Sequence, residues 1–116
     1  MSADKEVVGQ QGGGAGNFSE GLAGVEINGK WGFIDKSGTL VIPARYDNAG
    51  YFSEGLAGVV INGKYGFIDK SGTLVIPARY DNVFDNNGVY GFKNGKAMVE
   101  LNGRRFYIDK NGNEVK

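Results

Sequence analysis

The segment Phe18 to Asn48, FSEGLAGVEINGKWGFIDKSGTLVIPARYDN, returns at Phe52 to Asn82 as FSEGLAGVVINGKYGFIDKSGTLVIPARYDN, with only Glu26/Val60 and Trp31/Tyr65 changed. The period is 52 − 18 = 34 residues, and a degenerate third copy, FKNGKAMVELNGRRFYIDKNGNEVK, starts at Phe92 after a spacing of 92 − 52 = 40. Copies this similar must adopt the same local structure. The chain is therefore read as three supersecondary units, 18–51, 52–91 and 92–116, that bury their surfaces against one another. Residues 1–17, with Gln10-Gln11 and Gly12-Gly13-Gly14, have almost nothing to bury and are expected to form a flexible tail outside the fold.

Within a unit the turn residues set the topology. Asn28-Gly29, Asn62-Gly63 and Asn102-Gly103 each separate two apolar runs. Asn-Gly is the strongest short signal for a type I′ hairpin, because both central residues need positive φ. This turn places Ile27 opposite Lys30, Glu26 opposite Trp31, Val25 opposite Gly32, Gly24 opposite Phe33 and Ala23 opposite Ile34. The next turn, Asp35 to Thr39, suits a three-residue loop with a left-handed Gly38. Continued without interruption, it pairs Ile34 with Leu40, Phe33 with Val41 and Trp31 with Pro43.

The result is an all-β fold of tandem three-stranded antiparallel meanders, stacked or curled into one continuous domain. Strands are expected near 22–27, 30–35 and 39–43, then 56–61, 64–69 and 73–77, then 96–101, 104–109 and 113–115. One face of the first meander collects Ala23, Val25, Ile27, Gly32, Ile34, Leu40 and Ile42 and reads as core. The other collects Leu22, Gly24, Glu26, Trp31, Phe33, Val41 and Pro43, with Phe33 covering the bare position at Gly24. That face is either a binding surface or, the favoured reading, lies under a lid of Tyr46, Phe52 and Leu56. In the third copy Glu114 and Lys116 take the places of Leu40 and Ile42, which reads as a cap or frayed edge. The extra residues before Phe92, around Asn86-Asn87-Gly88, suggest one added small hairpin.

Composition narrows the function classes. With 13 basic and 13 acidic residues the net charge is +0, so the positive excess that nucleic acid or an anionic membrane demands is missing. No Cys removes disulfides and thiolate metal sites, and no His removes the commonest general base and metal ligand. The first residues lack an apolar stretch of signal-peptide length, and nothing downstream approaches a membrane span. The compartment stays open, a protein exported with its leader removed included.

The carboxylates have structural readings. Asp35, Asp69 and Asp109 recur in turns where a side-chain oxygen accepts the amide two residues on. A calcium loop needs several oxygen ligands, whereas Asp35-Lys36-Ser37-Gly38 supplies one carboxylate beside a lysine. Asp47 and Asp81 read as turn or capping residues, and Glu20 and Glu54 recur identically, which a single active site does not. No cofactor, metal or catalytic set is expected.

The string Lys30-Trp31-Gly32-Phe33-Ile34-Asp35, followed by Gly38-x-x-Val41-Ile42-Pro43, Tyr46-Asp47 and Phe52-Ser53-Glu54-Gly55-Leu56-Ala57, resembles the bacterial WG, or KWG, repeat over residues 18 to 116. The second copy departs from it with Tyr65 for Trp, and the third with Arg105-Phe106 for Trp-Gly. The resemblance implies a β-rich, non-enzymatic repeat of surface, secreted or multidomain proteins with no common ligand. Three functions follow as expectations. The first is a protein-interaction module, whose candidate surface includes the Glu26/Val60/Glu100 column. The second is a carbohydrate or cell-wall binder stacking sugars on Trp31, Tyr65 and Tyr107. The third is a spacer without ligand. Exposed edge strands add self-association to the expected partners.

Overall fold

The computed structural model describes residues 18–86 and 88–115. Among these the chain is all-β, with eleven strands in three antiparallel sheets. Strands β1 (Ala23–Ile27), β2 (Lys30–Ile34) and β3 (Leu40–Tyr46) form the first sheet. Strands β4 (Asn48–Ala49), β5 (Leu56–Ile61), β6 (Lys64–Asp69) and β7 (Leu74–Tyr80) form the second. Strands β8 (Asn82–Phe84), β9 (Lys96–Leu101), β10 (Arg104–Asp109) and β11 (Glu114–Val115) form the third.

The Asn-Gly hairpins have the expected register, from Ala23 opposite Ile34 to Ile27 opposite Lys30, with Asn28 at φ 53° and Gly29 at φ 85°. The following loop also closes as expected: the Asp35 N–H donates to the Thr39 carbonyl at 2.9 Å, and Gly38 takes φ 87°. Beyond Ile34 opposite Leu40 the uninterrupted pairing fails. Phe33 faces Ile42 rather than Val41, and Trp31 faces Tyr46 rather than Pro43. Two causes coincide here. Pro43 has no N–H to give the ladder, and Gly32 has no side chain to hold the crossing strand away, so β3 slips inward as a bulge.

The slip re-sorts the side chains. Ile42 joins Phe33 and Leu22 on the aromatic face, while Val41 and Pro43 turn to solvent. Both faces of a middle sheet are then buried, each against a different neighbour. Leu22, Phe33, Ile42 and Tyr46 of the first sheet pack with Phe52 against Ala57, Val59 and Ile68 of the second. The counterparts Leu56, Phe67, Ile76 and Tyr80 pack with Phe92 against Ala97, Val99 and Ile108 of the third. Tyr46 and Phe52 are lids as expected, but Leu56 belongs to the next interface. Phe52 meets Phe33 edge-on at 4.8 Å between ring centres, and Phe92 meets Phe67 likewise at 4.9 Å.

The chain runs on from β3 into β4, and from β7 into β8, changing sheet at Asp47 and Asp81. These edge strands were not expected. Val83 and Phe84 belong to β8, and the added hairpin shrinks to one bridge between Asn86 and Val89. In the third sheet the described pairs of β11 are Tyr107/Val115 and Ile108/Glu114, so among the described residues no strand crosses the position where Phe106 replaces the glycine. The Phe106 ring uses that space and lies 6.4 Å from Tyr80. Glu114, expected to put charge on a core face, instead accepts both terminal nitrogens of Arg104, at 2.6 and 3.1 Å. Lys116 lies outside the described residues.

Candidate aromatic groove

The connection that changes sheet also shapes the surface. Trp31 on β2 is half-buried, and its ring covers Gly24 of β1, where a Cβ would stand 3.3 Å from Trp31 Cε3. Phe33 covers the same glycine more loosely, at 3.8 Å, so the cover expected from Phe33 alone is shared. Beside Trp31 the connection Ala49-Gly50-Tyr51 leaves a cleft of about 230 Å³. One repeat on, Tyr65 on β6 shares a cleft of about 240 Å³ with Gly58, Asn82 and Tyr90. A third hollow, about 420 Å³, lies between Phe18, Tyr51, Val89 and Tyr90. Gly50 lines all three, Tyr51 two and Tyr90 two, so the clefts adjoin, and together they are called the groove.

Tyr51 and Tyr90 are the most exposed aromatics of this groove, at 58% and 65% of their full surface, ahead of Phe18. The sequence reading missed both. A signal was present: each tyrosine lies beside a glycine in a connection, Gly50-Tyr51 and Tyr90-Gly91, outside any strand face able to bury it.

The residues expected to form the surface are only partly brought together. Trp31 and Tyr65 hold equivalent places, opposite Glu26 and Val60. Tyr107 does not continue their series. It pairs with Met98, the place of Phe33 and Phe67, and the Lys96 ammonium lies 4.5 Å over its half-buried ring. The true successor of Trp31 and Tyr65 is Arg105, opposite Glu100, whose guanidinium lies 3.9 Å over Phe84. The Asn102-Gly103 turn fixes this register, in line with Arg105-Phe106 standing for Trp-Gly, and leaves Tyr107 two residues out of the Trp31/Tyr65 series. The Glu26/Val60/Glu100 column is broken as well. Glu26 is exposed, but Val60 and Glu100 are half-buried beneath Asn48 of β4 and Asn82 of β8.

The carboxylates outside the groove act on the backbone. Asp35 Oδ1 accepts the Ser37 and Thr39 N–H groups at 3.0 Å, and Asp69 and Asp109 repeat the pattern. The Lys30 ammonium at 2.5 Å, then the Asn62 N–H at 2.9 Å, hold Asp47 below the usual carboxylate range. Lys64 and Asn102 do the same for Asp81. Among the described residues no three acidic side chains gather where they could hold a metal ion. Among them, too, no helix is long and apolar enough to cross a membrane.

No curated protein and no solved structure matches the chain. The family model described as WG containing repeat matches three consecutive stretches, residues 14–31, 31–65 and 65–104. The stretches break at Trp31 and Tyr65, which hold equivalent places opposite Glu26 and Val60, and run without a gap through the crossing at Gly32 and Gly66 that gives each sheet its bulge. The chain belongs to the WG-containing repeat family.

Proposed function

We infer that the chain is a non-catalytic repeat module that binds a protein partner through the groove carrying Trp31, Tyr51, Tyr65 and Tyr90. The observation that carries this reading is the exposure of Tyr51 and Tyr90 beside clefts whose walls are fixed by stacked sheets. Tyrosine offers large, rigid contact area at low entropic cost, and Tyr and Trp dominate the energetics of protein interfaces. Among the described residues that line the groove there is no Lys, Arg, Asp or Glu, which fits neither nucleic acid nor a charged surface. A photoreactive benzophenone side chain placed at position 51 or 90 tests it, with the same group at exposed Val41 as control. A discrete protein adduct from positions 51 and 90 but not 41 supports the reading. Equal adducts from all three oppose it.

A second reading, glycan binding, is favoured by one observation, the cover of bare Gly24 by Trp31 with Tyr51 alongside. An aromatic pair of this kind suits the C–H face of a sugar. Soluble glycan fragments that shift Trp31 fluorescence, without any protein adduct, would put this reading first.

A further inference from the structure

Two junctions of the array are closed by the same contact. The Ser19 hydroxyl donates to the Phe52 carbonyl at 2.6 Å, and the Glu20 carboxylate accepts the N–H groups of Glu54 and Gly55 at 2.7 and 2.9 Å. Lys70 stands 3.7 Å from the same carboxylate. One repeat on, Ser53 donates to the Phe92 carbonyl at 2.6 Å, and Glu54 accepts from Asn94 and Gly95 at 2.6 and 2.9 Å, with Lys110 at 3.6 Å. Each contact has a donor half, Ser-Glu, and a receptor half. The receptor consists of a carbonyl, two N–H groups held side by side by a left-handed turn, and a lysine from the next loop.

The first repeat carries the receptor parts a third time. Glu20 and Gly21 take φ 56° and 85°, against 54° and 84° at Glu54 and Gly55 and 56° and 81° at Asn94 and Gly95. Lys36 occupies the place of Lys70 and Lys110. Among the described residues none brings a carboxylate to this turn. Phe18 is 45% exposed here, whereas Phe52 and Phe92, at the filled copies, are fully buried.

We propose that the Phe18 carbonyl, the Glu20 and Gly21 N–H groups and the Lys36 ammonium form a carboxylate receptor that docks an acidic Ser-Glu turn of a partner protein. Adjacent backbone donors with a cation beside them form a site for an anion, and charge-assisted bonds give it selectivity for carboxylate over amide. A second copy of this chain stacked head to tail does not supply the donor. Its far end presents Lys93-Asn94 where Ser-Glu would be needed. The receptor borders the aromatic groove at Phe18 but uses none of Trp31, Tyr51, Tyr65 and Tyr90, so the two proposals are tested by different residues.

The test is a titration of the full 15N-labelled chain with N-acetyl-Phe-Ser-Glu-Gly-amide, followed by amide NMR. The Glu20 and Gly21 amide resonances should move downfield and saturate. The same peptide with Gln for Glu should bind about ten-fold more weakly, and K36A should weaken the Glu peptide several-fold. Lys36 is exposed, so K36A leaves the fold intact. Equal response to the Glu and Gln peptides, no response at either amide, or shifts confined to Tyr51 and Tyr90 would overturn the proposal.

Discussion

A Cβ placed on Gly66 would stand 2.7 Å from the carbonyl oxygen of Ile76 and 2.8 Å from the Ala78 nitrogen. The backbone of β7 crosses β6 at this residue, and the glycine of the family's Trp-Gly pair is what admits it. The atoms it would meet are all β7 backbone, which cannot turn aside as a flexible side chain could. Gly66→Ala should therefore cost about 2–3 kcal/mol or more, read from urea midpoints. A cost below about 0.5 kcal/mol would mean that β7 does not cross there.

Gly63 tests a different constraint. It takes φ 83° in the Asn62-Gly63 turn, and a Cβ there would touch nothing within 4 Å. Only backbone conformation opposes a side chain, so Gly63→Ala should cost about 1 kcal/mol. Urea midpoints for the two variants should rank Gly66→Ala well below Gly63→Ala, and the reverse order would contradict the bulge.

The junction carboxylates predict an acid limb. Asp47 is held low by Lys30 and then Asn62, and Asp81 by Lys64 and then Asn102. Glu54 is held low by the Gly95 N–H first, then by Asn94 and Lys110. A depressed folded pKa means that the unfolded chain binds more protons. The stabilisation is thus present above the ordinary carboxylate value of about 4 and is lost as pH falls through the lower folded values. With no His in the chain, the thermal midpoint should stay flat between about pH 5 and 7 and drop below about pH 4. Asp81→Asn should lower the midpoint at pH 7 and shrink the drop. Calorimetry showing a midpoint that rises on acidification would contradict this.

Trp31 lies between the two extremes that a lone tryptophan can occupy, packed against the first inter-sheet core yet lining the groove. Its emission should fall between that of a core indole and that of free indole, with partial quenching by acrylamide. Trp31→Ala should cost about 2 kcal/mol, less than the ~3–5 kcal/mol of a fully buried aromatic. Emission at the free-indole position, with no loss of stability, would make it a pure surface platform.

Legibility followed the range of the physics involved. The register around Asn28-Gly29 was readable because a two-residue turn fixes the pairing locally. The bulge was not, because it depends on Gly32 meeting Pro43 and Ala44 across a strand pair, and the alternation of Leu40 to Ile42 fits either register. The short strands β4 and β8 were hidden for a related reason. Asn48-Ala49 has no apolar pattern of its own and is a strand only because the edge of β5 is beside it. The stacking of Ala57, Val59 and Ile68 on the previous sheet follows from repetition, but which face meets which neighbour needed the sheet change at Asp47.

Adjacent residues Tyr51 and Phe52 give the most direct test, because Phe52 is buried in the stack against Phe33 while Tyr51 is left to a partner. The measurement is the urea midpoint of Tyr51→Ala beside that of Phe52→Ala. Phe52→Ala should cost about 3–5 kcal/mol, whereas Tyr51→Ala should stay within about 0.5 kcal/mol of the parent. A Tyr51→Ala variant destabilised as strongly as Phe52→Ala would place that tyrosine in the scaffold and contradict the assignment of the groove as a binding surface.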